Sequence, residues 1–287
     1  MGKIPRKIKA ILGNQERALF TEGKPIYSGV FYAPSEEGRY HLDIEARDSE
    51  NNLSTFDSVA TIEVDNTPPN VTIYFQDELF SPNGDRIKDT VIFFPYLKDP
   101  DTIESWELLV ENSNNEVIRS VEGRESLPRA VVWRGEDDFN SPMGDGSYYF
   151  SLRVRDQASN ETKTPQKQLI LDKTRPHAQI TVDTWDEKGF QFNLDCGDIN
   201  GIDQWQLSIL NPERRTIHSF EGNGKIPSTL QWETLPSSHT DTLYSFKVKD
   251  MAGNTLITSP RSVIGSLVPK EVSSSKKDEK KEWNYDF

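Results

Sequence analysis

Gly146-Ser-Tyr-Tyr-Phe-Ser-Leu-Arg-Val-Arg-Asp156 is the stretch that decides the fold. Its period is two. Tyr148, Phe150, Leu152 and Val154 fall on one side, and Tyr149, Ser151, Arg153 and Arg155 on the other. Successive side chains of a strand point to opposite faces, so this is a half-buried antiparallel strand with one face on a core and one in water. Asn160 stands four residues past Asp156, and Ser159 just before it suits a tight hairpin.

The pattern recurs in both directions along the chain. Gly38-Arg-Tyr-His-Leu-Asp-Ile-Glu-Ala-Arg-Asp48 precedes Asn52, and Thr240-Asp-Thr-Leu-Tyr-Ser-Phe-Lys-Val-Lys-Asp250 precedes Asn254. The second and third copies match further upstream at an offset of 99: Trp106 with Trp205, Glu122-Gly123 with Glu221-Gly222, Pro128 with Pro227, Trp133 with Trp232. Such order at constant spacing marks an internal repeat. Val64-Asp-Asn-Thr-Pro-Pro69 and Leu171-Asp-Lys-Thr-Arg-Pro176 each end one alternating run and open another, and proline suits a short stiff linker. The expected units are 1–66, 67–173 and 174–268, followed by a polar tail, 269–287. The first has no counterpart of the paired tryptophan strands, so it is expected to be either a reduced sandwich or a unit whose start, in a longer chain, is missing. Trp283-Asn-Tyr-Asp-Phe287 alternates and reads as a docking strand or a frayed end.

Composition agrees with several small β-sandwiches. Hydrophobic residues make up 34% of the 287 residues, with 17 Gly and 17 Pro against 3 Met. The charge balance of 33 basic against 46 acidic residues, net -13, disfavours nucleic acid and anionic lipid as partners. No apolar run fits a signal peptide or a membrane-spanning helix in the sequence as given. The lone Cys196 shares a strand face with Phe192 and Leu194 and reads as a core thiol.

Phe80-Ser-Pro-Asn-Gly-Asp85, followed by Asp89-Thr90, resembles the opening of the Ig-like domains in gliding-motility C-terminal regions. Trp133-Arg-Gly-Glu through Gly146-Ser-Tyr148 is similar to a stretch of the Ig-like domain named after the flagellar hook-capping protein. The resemblance covers about 67–260. It implies tandem immunoglobulin-like β-sandwiches, an all-β fold, in an extracytoplasmic bacterial protein of the cell envelope. Arg86 departs from the pattern, which has Gly there, and the third unit lacks the Ser-Pro-Asn-Gly-Asp opening.

Asn83, Asp85, the Ile87 carbonyl and Asp89 alternate oxygens along one loop, with Asp99 and Asp101 near in sequence. Asn83, Asp85 and Asp89 are therefore a candidate Ca²⁺ loop, Ca²⁺ being the one cofactor the sequence suggests. The competing reading is a plain turn, since no bidentate Glu closes the loop. Glu136-Asp137-Asp138 reads as a solvated loop before it reads as paired carboxylates. Trp106 and Trp205 share a face with leucine and valine or isoleucine and read as core, which leaves Trp185 as the better exposed indole for a sugar. His41, His177, His218 and His239 are scattered, and no nucleophile elbow, phosphate loop or metal-protease helix motif is found.

The expected function is a non-catalytic spacer, scaffold or adhesive module with a protein partner or a neighbouring domain. The alternatives are a carbohydrate- or peptidoglycan-binding accessory module of a larger enzyme, and an assembly component of a surface or secretion machine. An enzyme is not expected.

Overall fold

The computed structural model describes residues 5, 7–21, 26–98, 103–185, 189–234 and 241–264. These residues form twenty-one strands and no α-helix. They group into two compact units: Met1–Glu78, Val91–Met143 and Ser147–Leu169 form the first, and Leu79–Thr90, Gly144–Gly146 and Ile170–Phe287 the second.

The first unit begins with a four-stranded sheet ordered β2-β1-β3-β4, from β1 (Lys7–Leu12), β2 (Gln15–Leu19), β3 (Gly38–Arg47) and β4 (Leu53–Val64). Ala10 and Leu12 of β1 are buried opposite Ile44 and Leu42 of β3. The predicted strand Gly38–Arg47 is there, but its apolar face is only half-buried. β4 runs along the sheet edge and is exposed almost throughout.

The same unit holds a two-layer sandwich. One layer is ordered β10-β7-β5, from β5 (Val71–Phe75), β7 (Val91–Leu97) and β10 (Val131–Trp133). The other, ordered β13-β11-β8-β9, contains β8 (Ile103–Asn112), β9 (Val117–Arg124), β11 (Gly146–Asp156) and β13 (Lys167–Leu171). Short β12 (Glu161–Lys163) pairs with β11. Tyr148, Phe150, Leu152 and Val154 are buried as their alternation requires. Phe93 and Phe75 meet Phe150 with ring centroids 4.7 and 4.9 Å apart. These tilted and edge-on contacts suit the aromatic quadrupole. Ser151, expected in water, is fully buried, and its cross-strand neighbour Leu109 is buried too. Beside them Arg153 reaches Glu107 across the strands at 3.1 Å, and long side chains of that kind shelter a short residue at a sheet centre.

The repeated Glu-Gly pair has a packing cause. Trp106 of β8 lies opposite Gly123 of β9, and a Cβ on Gly123 would meet the indole at 2.5 Å. Trp205 and Gly222 repeat the arrangement, at 2.8 Å. Each indole passes where only a glycine leaves room. Both are core, as read from the sequence. In the first sheet Ile8 holds the position of Trp106, since it pairs with Ala46 of β3 as Trp106 pairs with Val154 of β11.

The second unit is built likewise. Its smaller layer is ordered β14-β15-β18, from β14 (His177–Trp185), β15 (Gly189–Gly197) and β18 (Thr229–Glu233). The larger is ordered β17-β16-β19-β20, from β16 (Ile202–Leu210), β17 (Thr216–Asn223), β19 (Leu243–Asp250) and β20 (Thr255–Ile257). Short β21 (Arg261–Ser262) pairs with β19. Phe192, Leu207, Phe246 and Val248 centre the core, and Cys196 packs against it. Burial pushes the Cys196 thiol up to about 11. β6 (Leu79–Phe80) pairs in parallel with Ile170 and Leu171 at the end of β13, all four residues belonging to this second unit. The tail residues 269–287 lie outside the described residues.

Candidate functional site

The three Asp-x-x-x-Asn hairpins share one geometry. Asn51, Ser159 and Gly253 take φ values of 67°, 72° and 102°, the left-handed conformation a tight turn needs. In each hairpin the aspartate Oδ1 accepts the asparagine backbone N–H, and its Oδ2 accepts the asparagine side-chain amide. One amide hydrogen and one carbonyl oxygen of the asparagine are then left to use.

In two hairpins the spare amide hydrogen fastens a linker. Asn160 Nδ2 donates to the Asp65 carbonyl at 3.1 Å, and Asn254 Nδ2 donates to the Asp172 carbonyl at 2.9 Å. Asp65 and Asp172 occupy the same place in Val64–Pro69 and Leu171–Pro176. Thr162 Oγ1 adds a second tie in the first unit, donating to the Pro69 carbonyl at 2.7 Å. For Asn52 the bonds described are those to Asp48.

In the second unit Asn254 does more. It is fully buried, and its Oδ1 accepts from Ser81 Oγ at 2.5 Å and from Asn83 Nδ2 at 2.9 Å. The Ser81–Asp89 loop thus closes on the clamp. Lys88 Nζ donates to the Met251 carbonyl at 3.0 Å. A Cβ on Gly253 would meet Ile87 Cγ2 at 2.6 Å, so the loop also packs against the hairpin.

The candidate calcium oxygens are engaged inside this loop. Asn83 Oδ1 accepts the Asp85 N–H at 2.9 Å, and Asp85 Oδ1 accepts the Ile87 N–H at 2.8 Å. Asp89 Oδ1 and Oδ2 accept the N–H groups of Gly84 and Arg86 at 2.8 and 2.7 Å. Such side-chain caps fold a turn without any ion. Asp99 and Asp101 lie outside the described residues. In the Glu136-Asp137-Asp138 loop, Asp137 Oδ1 accepts the Phe139 and Ser141 N–H groups, and Asp138 Oδ1 accepts the Ser120 N–H.

Among the described residues, the carboxylates that do converge are Asp172, Asp198 and Asp250, with one oxygen of each within 4.8 Å of the others. Asp172 and Asp250 are buried. Asp172 accepts from the Thr174 N–H and from Asn200 Nδ2, and Asp198 accepts from the Asn200 N–H. Burial first, then the neighbouring carboxylates, pushes Asp250 above the ordinary carboxylate range, against the two Asn254 hydrogen bonds. Asp198 is raised for the same leading reason and by Asp172 and Asp145, against the Asn200 N–H and His177. Three carboxylates this close can give hard oxygens to a divalent cation, although Ca²⁺ takes six to eight.

The sequence carries a signal for this grouping in its repeat. Asp65 and Asp172 fill the same linker position, and Asp99 and Asp198 are 99 residues apart, the offset of the repeat. Trp185, read as an exposed indole, is half-buried at the end of β14. Of the histidines, His177 Nε2 lies 3.8 Å from Asp195 at the surface, and His218 stacks edge-on with Phe220 at 4.7 Å.

Residues 31–104 match the bacterial Ig-like domain (group 3) family. No curated protein matches the chain. Among solved structures, the tetra-tandem repeat from the extending region of a large adhesion protein is 14% identical, with TM-score 0.37, over 91% of this chain and 68% of that one. The fibronectin(III)-like modules of Clostridium thermocellum CbhA are 11% identical, with TM-score 0.34, over 66% and 90%. The FN1–FN3 domains of chicken CNTN1 are 9% identical, with TM-score 0.39, over 90% and 89%. The family match and the layered sheets bear out the all-β, immunoglobulin-like reading of the sequence.

Proposed function

We propose that the chain is a non-catalytic spacer of a bacterial surface or adhesion protein, built of sandwich modules bounded near 66/67 and 173/174, with an asparagine clamp fastening the linker that leads into a module. The observation that carries this reading is the repeated bond from a hairpin asparagine to a linker carbonyl, Asn160 to Asp65 and Asn254 to Asp172. A hydrogen bond placed at the same point of two linkers fixes the linker backbone against its hairpin, and proline in each adds stiffness. A scaffold presents partners on faces and end loops, so function here does not require a cleft.

Small-angle scattering of the full chain tests the spacer. The Asn160→Ala/Asn254→Ala variant should keep its strand content by circular dichroism while its distribution of maximal dimension broadens. Superimposable profiles would remove the clamps from the account. Surface labelling of intact cells carrying the complete gene tests the location.

A further inference from the structure

The outward face of the β10-β7-β5 layer is apolar. Its outward residues are Thr72 and Tyr74 of β5, Ile92, Phe94 and Tyr96 of β7, and Val132 of β10. Register places Tyr74 opposite Phe94, Thr72 opposite Tyr96 and Val132 opposite Ile92, so the six form one patch. Tyr74, Phe94, Tyr96 and Val132 are 57%, 40%, 53% and 42% exposed. The Tyr74 and Tyr96 rings sit 6.5 Å apart at 57° to each other.

The fold does not demand this face. In the second unit the corresponding layer pairs Thr181 with Asn193, Gln179 with Asp195 and Gln231 with Gln191, in the same register. There every one of the six positions is polar. The side chains bond along the sheet, from Gln231 to Gln191, Gln191 to Asn193 and Asn193 to Asp183. One repeat keeps a wetted amide ladder where the other exposes aromatic rings.

We propose that the Tyr74–Phe94–Tyr96 face binds a neutral polysaccharide chain. Charge and area select this occupant. None of the six residues carries a charge, and the chain as a whole is at -13, so an anionic polymer is repelled and a cationic one finds no carboxylate on the face. The exposed fractions correspond to roughly 300–400 Å² of side chain, the size of a functional patch on a single chain. A stable second copy would need about 800 Å² on each side. Saccharide rings offer apolar C–H faces to aromatic rings, and the two tyrosine hydroxyls supply donors and acceptors at the rim. Because these residues point away from the core, truncating them leaves the sandwich intact.

Affinity electrophoresis of the full chain in gels cast with hydroxyethylcellulose, glycol chitin or dextran tests the proposal. Retardation by at least one of these polymers is expected. Tyr74→Ala/Tyr96→Ala should weaken it about tenfold or more, Tyr96→Phe should retain it, and Gln191→Ala/Gln231→Ala in the second unit should leave it unchanged. Matching circular dichroism and melting temperature would show that the variants fold. Migration unaffected by all three polymers overturns the proposal, as does retardation that survives the double tyrosine variant. Concentration-dependent dimerisation in sedimentation velocity that the same variant abolishes also overturns it, in favour of a second copy on this face.

Discussion

Replacing the hairpin asparagine by alanine should cost most at Asn254, less at Asn160 and least at Asn52, and the structure sets the scale of each step. Asn254 is fully buried, donates to the Asp172 carbonyl and Asp250, and accepts from Ser81 and Asn83. Asn254→Ala removes four side-chain bonds and leaves buried Ser81 and Asp250 each short of a partner. At about 1 kcal/mol per bond, with the added penalty of stranded buried groups, the loss is about 3–6 kcal/mol. Asn160 is half-buried and makes two such bonds, to Asp65 and Asp156, worth about 1–2 kcal/mol. Asn52 is exposed and its side chain bonds only within its own hairpin among the bonds described, so about 0.5 kcal/mol is expected. Hydrogen exchange read by mass spectrometry resolves each hairpin within the intact chain and so does not assume one global transition. The peptide spanning β19 and its turn should lose the most protection. Equal losses at the three positions, or a larger loss at Asn52, would refute the idea that linker and loop bonds set the strength of each clamp.

Gly123→Ala and Gly222→Ala should each destabilise by about 1–3 kcal/mol, since the new Cβ falls 2.5 and 2.8 Å from an indole; urea titration followed by tryptophan fluorescence measures this. Asp198→Asn should stabilise the second unit at neutral pH. The folded-state pKa of Asp198 is raised above 3.8, so its charge costs stability at neutral pH, and the cost fades as pH falls through the folded value. The difference in melting temperature between variant and native chain should therefore be largest near pH 7 and vanish in acid. A difference that grew on acidification would contradict the placement of Asp198 among like charges.

The strands of each larger layer were legible because alternation is a local signal, as Tyr148 to Val154 shows. The paired tryptophans and the Glu-Gly that follows were legible as a repeat, but the reason for the glycine was not, because the contact joins neighbouring strands. The sheet β1–β2 gave no such signal, because Ile8 stands where the other repeats have tryptophan. The convergence of Asp172, Asp198 and Asp250 depends on three segments far apart in sequence, and no window on the chain contains them. The Tyr74–Phe94–Tyr96 face was hidden for a different reason. Val-Ile-Phe-Phe-Pro-Tyr is apolar on both parities, the pattern of a strand covered on both sides, and only the structure shows that one side is open.

The Ser81–Asp89 loop shows how a carboxylate can take over work usually left to glycine. Arg86 sits at φ 73°, where glycine is the comfortable residue, yet both oxygens of Asp89 hold the Gly84 and Arg86 amides in place. The turn's shape is held by the carboxylate, which bonds two of its amides, and a glycine is not required at position 86. Replacing Arg86 should therefore disturb the turn less than removing the Asp89 carboxylate, which holds two of its amides.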